Sequence, residues 1–286
     1  MSDPAGYSYL SFLTDYGRED GFVAICHGQI LERAPAVRVI DITHDVPPGD
    51  VRRGATVLAE TAPELPPGVH VTVVDPGVGT ERRSIAVRAG GHVLVGPDNG
   101  LLVWAAEALG GIEACHEIAN PGLWRHPVSA TFHGRDIYAP VGAWLAAGLP
   151  LSETGPELPS SELVRLPEPR HEVSGGLARG EVRAIDRFGN CQLSLLRDDL
   201  AGADTPPGSL RVHAPGGRWT VPFGHTFASV GAGEPVLLVD SAGYVALSEN
   251  GGDAARSFGL SVGDAIDIEA ATGGGDPSEG AAKADA

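Results

Sequence analysis

Through the first half of the chain apolar β-rich runs alternate with helical patterns, and near residue 150 the alternation stops. The runs Tyr9–Leu13, Val37–Ile42 and Val69–Val74 are separated by helical stretches over Asp20–Arg33 and Asp50–Ala62. This predicts a mostly parallel sheet with covering helices, because a parallel crossover needs a connection long enough to pass back over the sheet. Ser84–Arg88 and His92–Val95, split by Gly90-Gly91, predict a hairpin. Further helices are expected over Gly100–Leu109 and Arg135–Ala147. In the second, Ile137, Val141, Trp144 and Leu145 fall at helical spacing and read as a core-facing stripe.

From Pro150 to Ser174 the chain is rich in Pro, Glu and Ser, as in an interdomain connector. Beyond it helical patterns nearly vanish. Short runs at Glu181–Ile185, Cys191–Leu195, Leu210–His213, Pro235–Val239, Tyr244–Leu247 and Ala265–Ile268 predict a small antiparallel barrel, interrupted by a brief helix at Asp253–Phe258. The expected organisation is an α/β domain over 1–160, a linker over 161–174, a β-barrel domain over 175–270 and a disordered tail over 271–286. A chain of 286 residues has room for two cores of that size.

The formal charge of −17, with no basic cluster to offset it, argues against nucleic acid and anionic membranes as partners and favours a cationic small substrate. Cys26, Cys115 and Cys191 lack CxxC spacing, so neither a zinc knuckle nor a disulfide framework is expected. Met1 to Tyr9 has no cationic, apolar leader pattern and no run reaches membrane-spanning length, so a cytoplasmic location is expected.

Three corners carry chemistry. Val73-Val74-Asp75-Pro76-Gly77-Val78-Gly79-Thr80-Glu81-Arg82 is an apolar run that ends in a carboxylate, a Gly/Pro turn and an arginine. Open α/β sheets place ligands at such strand ends, although a turn-forming Asp followed by a solvated Arg would look the same. Leu13-Thr14-Asp15-Tyr16-Gly17 is a second strand closing on an acid, whose two oxygens suit a vicinal diol, with Asp20 either a ligand or a helix cap. In Thr131-Phe132-His133-Gly134-Arg135-Asp136 a histidine stands at a helix entrance, where the dipole is expected to depress its pKa and keep it neutral. In the second half Ile185-Asp186-Arg187-Phe188-Gly189-Asn190 supplies an acid, an aromatic face and an amide, or simply a β-turn. Asp98 or Asn99 reads as the cap of a helix starting near Leu101.

Together these stretches, with Asp41-Ile42-Thr43-His44, Gly96-Pro97-Asp98-Asn99-Gly100 and Ser241-Ala242-Gly243-Tyr244, resemble the S-adenosylmethionine hydroxide adenosyltransferase family, relatives of the fluorinase and chlorinase halogenases. The likeness runs from about Tyr9 to Ile268. It implies an N-terminal α/β domain, a C-terminal β-barrel, and a homotrimer with sites between neighbouring subunits. It further implies that Asp75, Arg82 and His133 hold the attacking water, with Thr131 and Phe132 among the substrate-binding residues. Asp15 matches the ribose-diol carboxylate, while Asp20, Asp186 and Ser241 match positions around the methionine end. Phe188, Asn190, Phe227, Glu249 and Gly251 match positions near the adenine.

The departures separate hydrolase from halogenase. A carboxylate at Asp75 beside a desolvated halide would cost on the order of several kcal/mol in like-charge repulsion, whereas beside water it is an acceptor. The fluorinase serine that contacts halide falls at Gly134, the fluorinase's extra loop is absent between Arg88 and Gly96, and the arginine after its serine is Ala242 here. The expected reaction is displacement of methionine from ribose C5′ by water, with Asp75 and His133 both accepting hydrogen bonds from that water, and with neither metal nor organic cofactor. The competing readings are a halogenase of the same fold, a non-catalytic S-adenosylmethionine or adenosine-binding module, and a metal-dependent nucleosidase using Asp41, His44 and Asp45. The water-holding trio argues against the binding module, and capping is the simpler role for the last set.

Overall fold

The computed structural model describes residues 6–200 and 208–270, so the expected tail lies outside the described residues. The chain divides into two compact units, Met1–Leu166 and Pro167–Ala286.

The first unit comprises β1 (Tyr9–Thr14), α1 (Phe22–Arg33), β2 (Arg38–Thr43), α2 (Val51–Thr61), β3 (Val69–Val73), β4 (Ser84–Ala89), β5 (His92–Pro97), α3 (Val103–Ala108), β6 (Ala114–Glu117) and α4 (Ala139–Ala146). Its sheet runs β2-β1-β3-β5-β4-β6. Strands β2, β1, β3 and β5 are parallel, and β4 is antiparallel to both β5 and β6. One core packs Cys26 and Ile30 of α1 and Val141 and Leu145 of α4 against Phe12, Val71 and Val95; the other packs Leu58 of α2 and Trp104 of α3 with Leu13, Ile85 and Leu94. The strands therefore carry apolar residues on both faces, as a sheet sandwiched between helices requires.

Strand order reverses at β1. From β1 the chain passes to β2 on one side, then crosses to β3 on the other. The carboxyl ends of β1 and β3 thus flank the crevice where such sheets hold ligands. In register, Thr14 pairs with Val73, so Asp15 and Asp75 follow adjacent strand ends.

The stretch expected as a linker is shared between the units. Leu163 and Leu166 pack into the second core of the first unit, and Val164 donates its N–H to Asp98 at 2.9 Å. Asp98 is buried and paired with Arg83 at 2.8 Å rather than capping a helix. Asn99 accepts from the Leu101 N–H at 3.2 Å, but it is not the cap either: α3 starts only at Val103, with Leu102 at its N-cap and no side-chain capping bond. The helix expected from Arg135 starts instead as a π-helical turn, Gly134–Tyr138, that runs into α4.

The second unit comprises β7 (Glu172–Ser174), β8 (Leu177–Ile185), β9 (Cys191–Leu196), β10 (Ser209–Ala214), β11 (Gly217–Pro222), β12 (Pro235–Val239), β13 (Tyr244–Glu249), α5 (Ala254–Phe258) and β14 (Ala265–Ala270). The ladders are antiparallel in the order β11-β10-β14-β8-β9-β13-β12, with β7 on β8. A bridge between Phe223 and Leu237, with Gly224 N–H donating to the Leu237 carbonyl at 2.8 Å, draws the ends together into a nearly closed barrel. Leu193, Val212, Leu237, Leu247 and Ile266 fill it. Closure removes most of the exposed edge that an open sheet would leave. Among the described residues no helix is long and apolar enough to cross a membrane.

Candidate active site

Asp75 stands two residues beyond the end of β3, and the tight turn after it doubles back to bring Arg82 onto its carboxylate. Arg82 Nε–H donates to Oδ1 at 2.8 Å and to Oδ2 at 3.0 Å, and a third contact joins Nη2 to Oδ2. The side chains are only 12% and 5% exposed, so this pair is held away from bulk water. Burial works to lower the Arg82 pKa, but the hydrogen bonds to Asp75 and the neighbouring charges raise it overall. Arg82 also donates to Ser84 Oγ at 3.1 Å, and its guanidinium lies over the Tyr138 ring, 5.7 Å from the centroid. Tyr138 is fully buried and hydrogen-bonded to Ser84 at 3.0 Å, so the guanidinium rests on a fixed platform.

The third member arrives from a distant segment. Arg82 Nη2 lies 2.8 Å from His133 Nδ1. Because a guanidinium only donates, Nδ1 must be the acceptor, and in the neutral ring the proton sits on Nε2. Burial and the Arg82 charge push the His133 pKa down, while Asp75 and Asp136 oppose them. The ring is neutral as expected, but burial and the guanidinium, rather than a helix dipole, hold it so. The tautomer corrects a second expectation. With its lone pair committed to Arg82, neutral His133 offers a donor at Nε2, leaving Asp75 as the acceptor of the trio.

Two glycines permit this meeting. A Cβ at Gly79, whose φ is +77°, would stand 2.3 Å from the Ala130 carbonyl oxygen, so the Asp75 turn and the loop before His133 touch backbone to backbone. A Cβ at Gly134 would meet Tyr16 Oη at 2.0 Å. Tyr16, Phe22 and Phe132 form an edge-on triangle with centroids 5.3 to 6.1 Å apart beside this point. The loop is anchored by Asp136, which is fully buried. It accepts from Arg125 at 3.0 Å, Arg135 Nε at 2.7 Å and the Ser129 N–H at 2.8 Å. These contacts outweigh burial and hold its carboxyl below the usual range.

Asp15 is half-buried and accepts the Gly49 N–H at 2.8 Å through Oδ2. Burial raises its pKa, partly offset by backbone hydrogen bonds and reinforced by the Asp75 charge, which places the two carboxylates within electrostatic reach. Thr131 is exposed and bonded only to Ser129 at 3.2 Å. Asp20 is exposed, and α1 is capped at Gly21 without a side-chain bond, so Asp20 is not the helix cap.

The second unit carries its candidates on its own turns. Asp186 Oδ1 accepts the Phe188 and Asn190 N–H groups, both at 2.9 Å, and Oδ2 accepts Asn190 Nδ2 at 2.7 Å. The carboxylate therefore builds its own turn, and that turn presents Phe188 with 68% of its surface exposed. Asp240 organises a similar turn by accepting Ala242 N–H at 2.9 Å and Tyr244 N–H at 3.0 Å, leaving Ser241 exposed at its tip. Arg183, buried on β8, stacks 4.3 Å from the Tyr244 centroid and donates to Gln192 at 2.7 Å, which in turn donates to Asp240 at 2.8 Å. Phe227 and Gly251 are exposed and Glu249 half-buried. Sequence reasoning singled out neither Ser84, Tyr138, Asp136 nor Asp240 as builders of these sites. Asp136 and Asp240 lie inside or beside the quoted motifs; nothing in the local pattern marks Ser84 or Tyr138.

Comparison with known proteins bears on this geometry. A model described as the SAM hydroxide adenosyltransferase N-terminal domain matches residues 10–155, and the corresponding C-terminal domain model matches residues 180–267. The chain belongs to the SAM hydroxide adenosyltransferase family. Within reach of this family is an (R)-S-adenosyl-L-methionine hydrolase from Salinispora tropica, 53% identical over 264 residues that span 92% of this chain and 98% of that protein. A fluorinase from an Actinoplanes species is 32% identical over 292 residues, spanning 92% of this chain and 98% of that protein. The crystal structure of an uncharacterized conserved protein from Thermotoga maritima is similar with a TM-score of 0.85 at 35% identity, covering 91% of this chain and 99% of that one. The SAM hydroxide adenosyltransferase chain described here thus stands nearer in sequence to that hydrolase than to that fluorinase.

Proposed function

We propose that this protein hydrolyses S-adenosyl-L-methionine to adenosine and L-methionine by attack of water on ribose C5′. The observation that carries the reading is the charged, preorganised acceptor at the switch point: Asp75 clamped by Arg82, which simultaneously fixes the His133 ring.

In the reaction the water oxygen forms a bond to C5′ as the C5′–S bond breaks with its electron pair moving to sulfur. Methionine leaves as a neutral thioether, so no acid is needed on that side. The water's surplus proton passes to Asp75 and on to solvent. His133 Nε2–H donates to the water oxygen and fixes its lone pair toward carbon, a positioning contribution. A developing positive charge on water beside a carboxylate is stabilised where bulk solvent is scarce. The chemistry calls for no metal or organic cofactor.

The resemblance supports Asp15 as the ribose-diol acceptor and Asp20, Asp186 and Ser241 around the methionine end, with Thr131 and Phe132 among the substrate-binding residues. It likewise supports Phe188, Asn190, Phe227, Glu249 and Gly251 around adenine, in a homotrimer. Three buried, unpaired cysteines suit the reducing cytoplasm.

Incubation with S-adenosylmethionine followed by chromatography of the nucleoside is the direct test. Adenosine with equimolar methionine is expected, also in excess chloride or fluoride. A 5′-halo nucleoside, or intact substrate retained without turnover, would sink the reading.

A further inference from the structure

We propose that His27, Asp41 and His44 form a binding site for one divalent transition-metal ion of the zinc class, separate from the water-holding trio. The side chains come from α1, β2 and the residue just beyond β2. One ligand atom of each lies within 4.8 Å of the others. His27 Nε2 is 2.8 Å from Asp41 Oδ1, and His44 Nε2 is 3.1 Å from the same oxygen.

The decisive atom is His44 Nε2. The ring is 97% buried, being 3% exposed, yet this nitrogen has no aligned hydrogen-bond partner despite its proximity to Asp41. Its other nitrogen, Nδ1, is engaged 2.8 Å from Thr14 Oγ1, which also accepts the Tyr16 N–H at 3.2 Å. If Nδ1 carries the proton, Nε2 turns a bare lone pair toward a carboxylate, which is repulsive. If Nε2 carries it, a buried N–H lacks an acceptor in line. A cation between the two removes the difficulty in the first case. This is the usual arrangement of a metal-bound imidazole, whose far N–H is held by an outer partner.

The donor set fits. Two neutral imidazoles and a carboxylate are the ligands that zinc and its neighbours take, with a water at the fourth position. Ligand bonds of about 2.0–2.1 Å in a tetrahedron put the donor atoms roughly 3.3 Å apart. The observed 2.8 and 3.1 Å to the carboxylate need only a small spreading, which Asp41, 39% exposed, is free to make, and the two imidazole ligand atoms lie within 4.8 Å of each other. Phe12, fully buried, packs against both imidazoles at 5.1 and 5.9 Å and supplies an apolar wall. Arg18, the neighbouring cation, is paired with Asp45 at 3.2 Å. The partly exposed His27 and Asp41 leave a path from solvent.

The consequence is mechanical. His44 is bonded twice to the Leu13–Gly17 corner, through Thr14 and through its carbonyl, which accepts the Gly17 N–H at 2.8 Å. A metal at Nε2 therefore braces the corner that carries Asp15 from α1 and β2.

The test uses untagged full-length protein, stripped with chelator and titrated with Co²⁺ by visible absorption and with Zn²⁺ by calorimetry. One ion per chain with the intense bands of four-coordinate Co²⁺ is expected. His27→Gln and Asp41→Asn, each checked for an unchanged thermal transition without metal, should weaken binding at least about 10–100-fold. His126→Gln, at an exposed histidine elsewhere, should leave it unchanged. No saturable one-to-one binding, or binding that survives both ligand substitutions, overturns the proposal. If either variant fails to fold, the ¹⁵N shifts of His27 and His44 in the unaltered protein decide: both must move on titration with Zn²⁺.

Discussion

At the scale of single residues, the chemistry rests on which groups are donors and which acceptors. Asp75→Asn should keep the shape but lose a charged acceptor and leave Arg82 partly unpaired, lowering kcat by roughly 10²–10⁴-fold with a smaller effect on KM. Single-turnover kinetics of adenosine formation measures it, and near wild-type kcat would remove Asp75 from the reaction. His133 should show the Nε2–H tautomer in ¹⁵N spectra, since Arg82 holds Nδ1. Its lowered pKa means that the ring stays neutral at the ordinary histidine midpoint and protonates only at lower pH. The rate should therefore hold steady from pH 7.5 through about 6.5 and fall only below it; a His133-dependent decline already centred above that value would contradict the burial argument. The corner motifs were legible as residue types, but the Arg82–His133 contact joins segments 51 residues apart, and a hydrogen bond that selects a tautomer has no trace in local pattern.

At the scale of elements, β1, β3 and β5 carry an unusual buried chain: Ser11 Oγ lies 2.6 Å from His70 Nδ1, and His70 Nε2 lies 2.8 Å from His92 Nδ1. Burial and the neighbouring His92 push the His70 pKa down to about 3. The unfolded chain binds a proton near pH 6.5 that the folded chain refuses, so this stabilisation is whole above that pH and drains away as pH falls toward 3. Denaturant midpoints measured between pH 7 and 4 should drop, and His70→Gln should flatten the drop even if it lowers the midpoint overall. Loops are just as tightly determined. Gly79→Ala forces a Cβ against the Ala130 carbonyl at a positive φ, and should cost about 1–3 kcal/mol while separating the Asp75 turn from the His133 loop. Thermal unfolding and kcat together test this, since an unchanged kcat would mean that the two loops are not coupled. Most elements were legible because their periodicity is strong. The missed ones have physical excuses: β6 is four residues of mixed polarity, β7 lies in a Pro- and Glu-rich stretch, and β11 opens on glycine and ends on proline. Its Trp219 packs on Phe258 of α5 at 4.9 Å, a tertiary contact that overrides weak local preference.

At the scale of the whole molecule, 37 acidic against 20 basic residues create a field that draws a sulfonium substrate. Raising ionic strength should reduce kcat/KM for S-adenosylmethionine by lowering the encounter rate, with kcat unaffected; a salt-independent kcat/KM would show that the field does not reach the site. The two-unit architecture was legible from the point where helical periodicity ends, but the boundary was not sharp. Leu163 and Leu166 pack into the first unit, and buried Asp98, which pairs with Arg83 and receives the Val164 N–H, is a long-range anchor hidden in what looks like a capping sequence.

The pairing of Thr14 with Val73 has a consequence for how this scaffold diversifies. Because adjacent parallel strands fix their spacing through the backbone ladder, the Asp15 carboxylate at the tip of β1 and the Asp75 carboxylate beyond β3 are set like two marks on one ruler. On the proposed roles, exchanging the side chain at one mark changes which nucleophile is received, while the other continues to measure where the reacting carbon must lie.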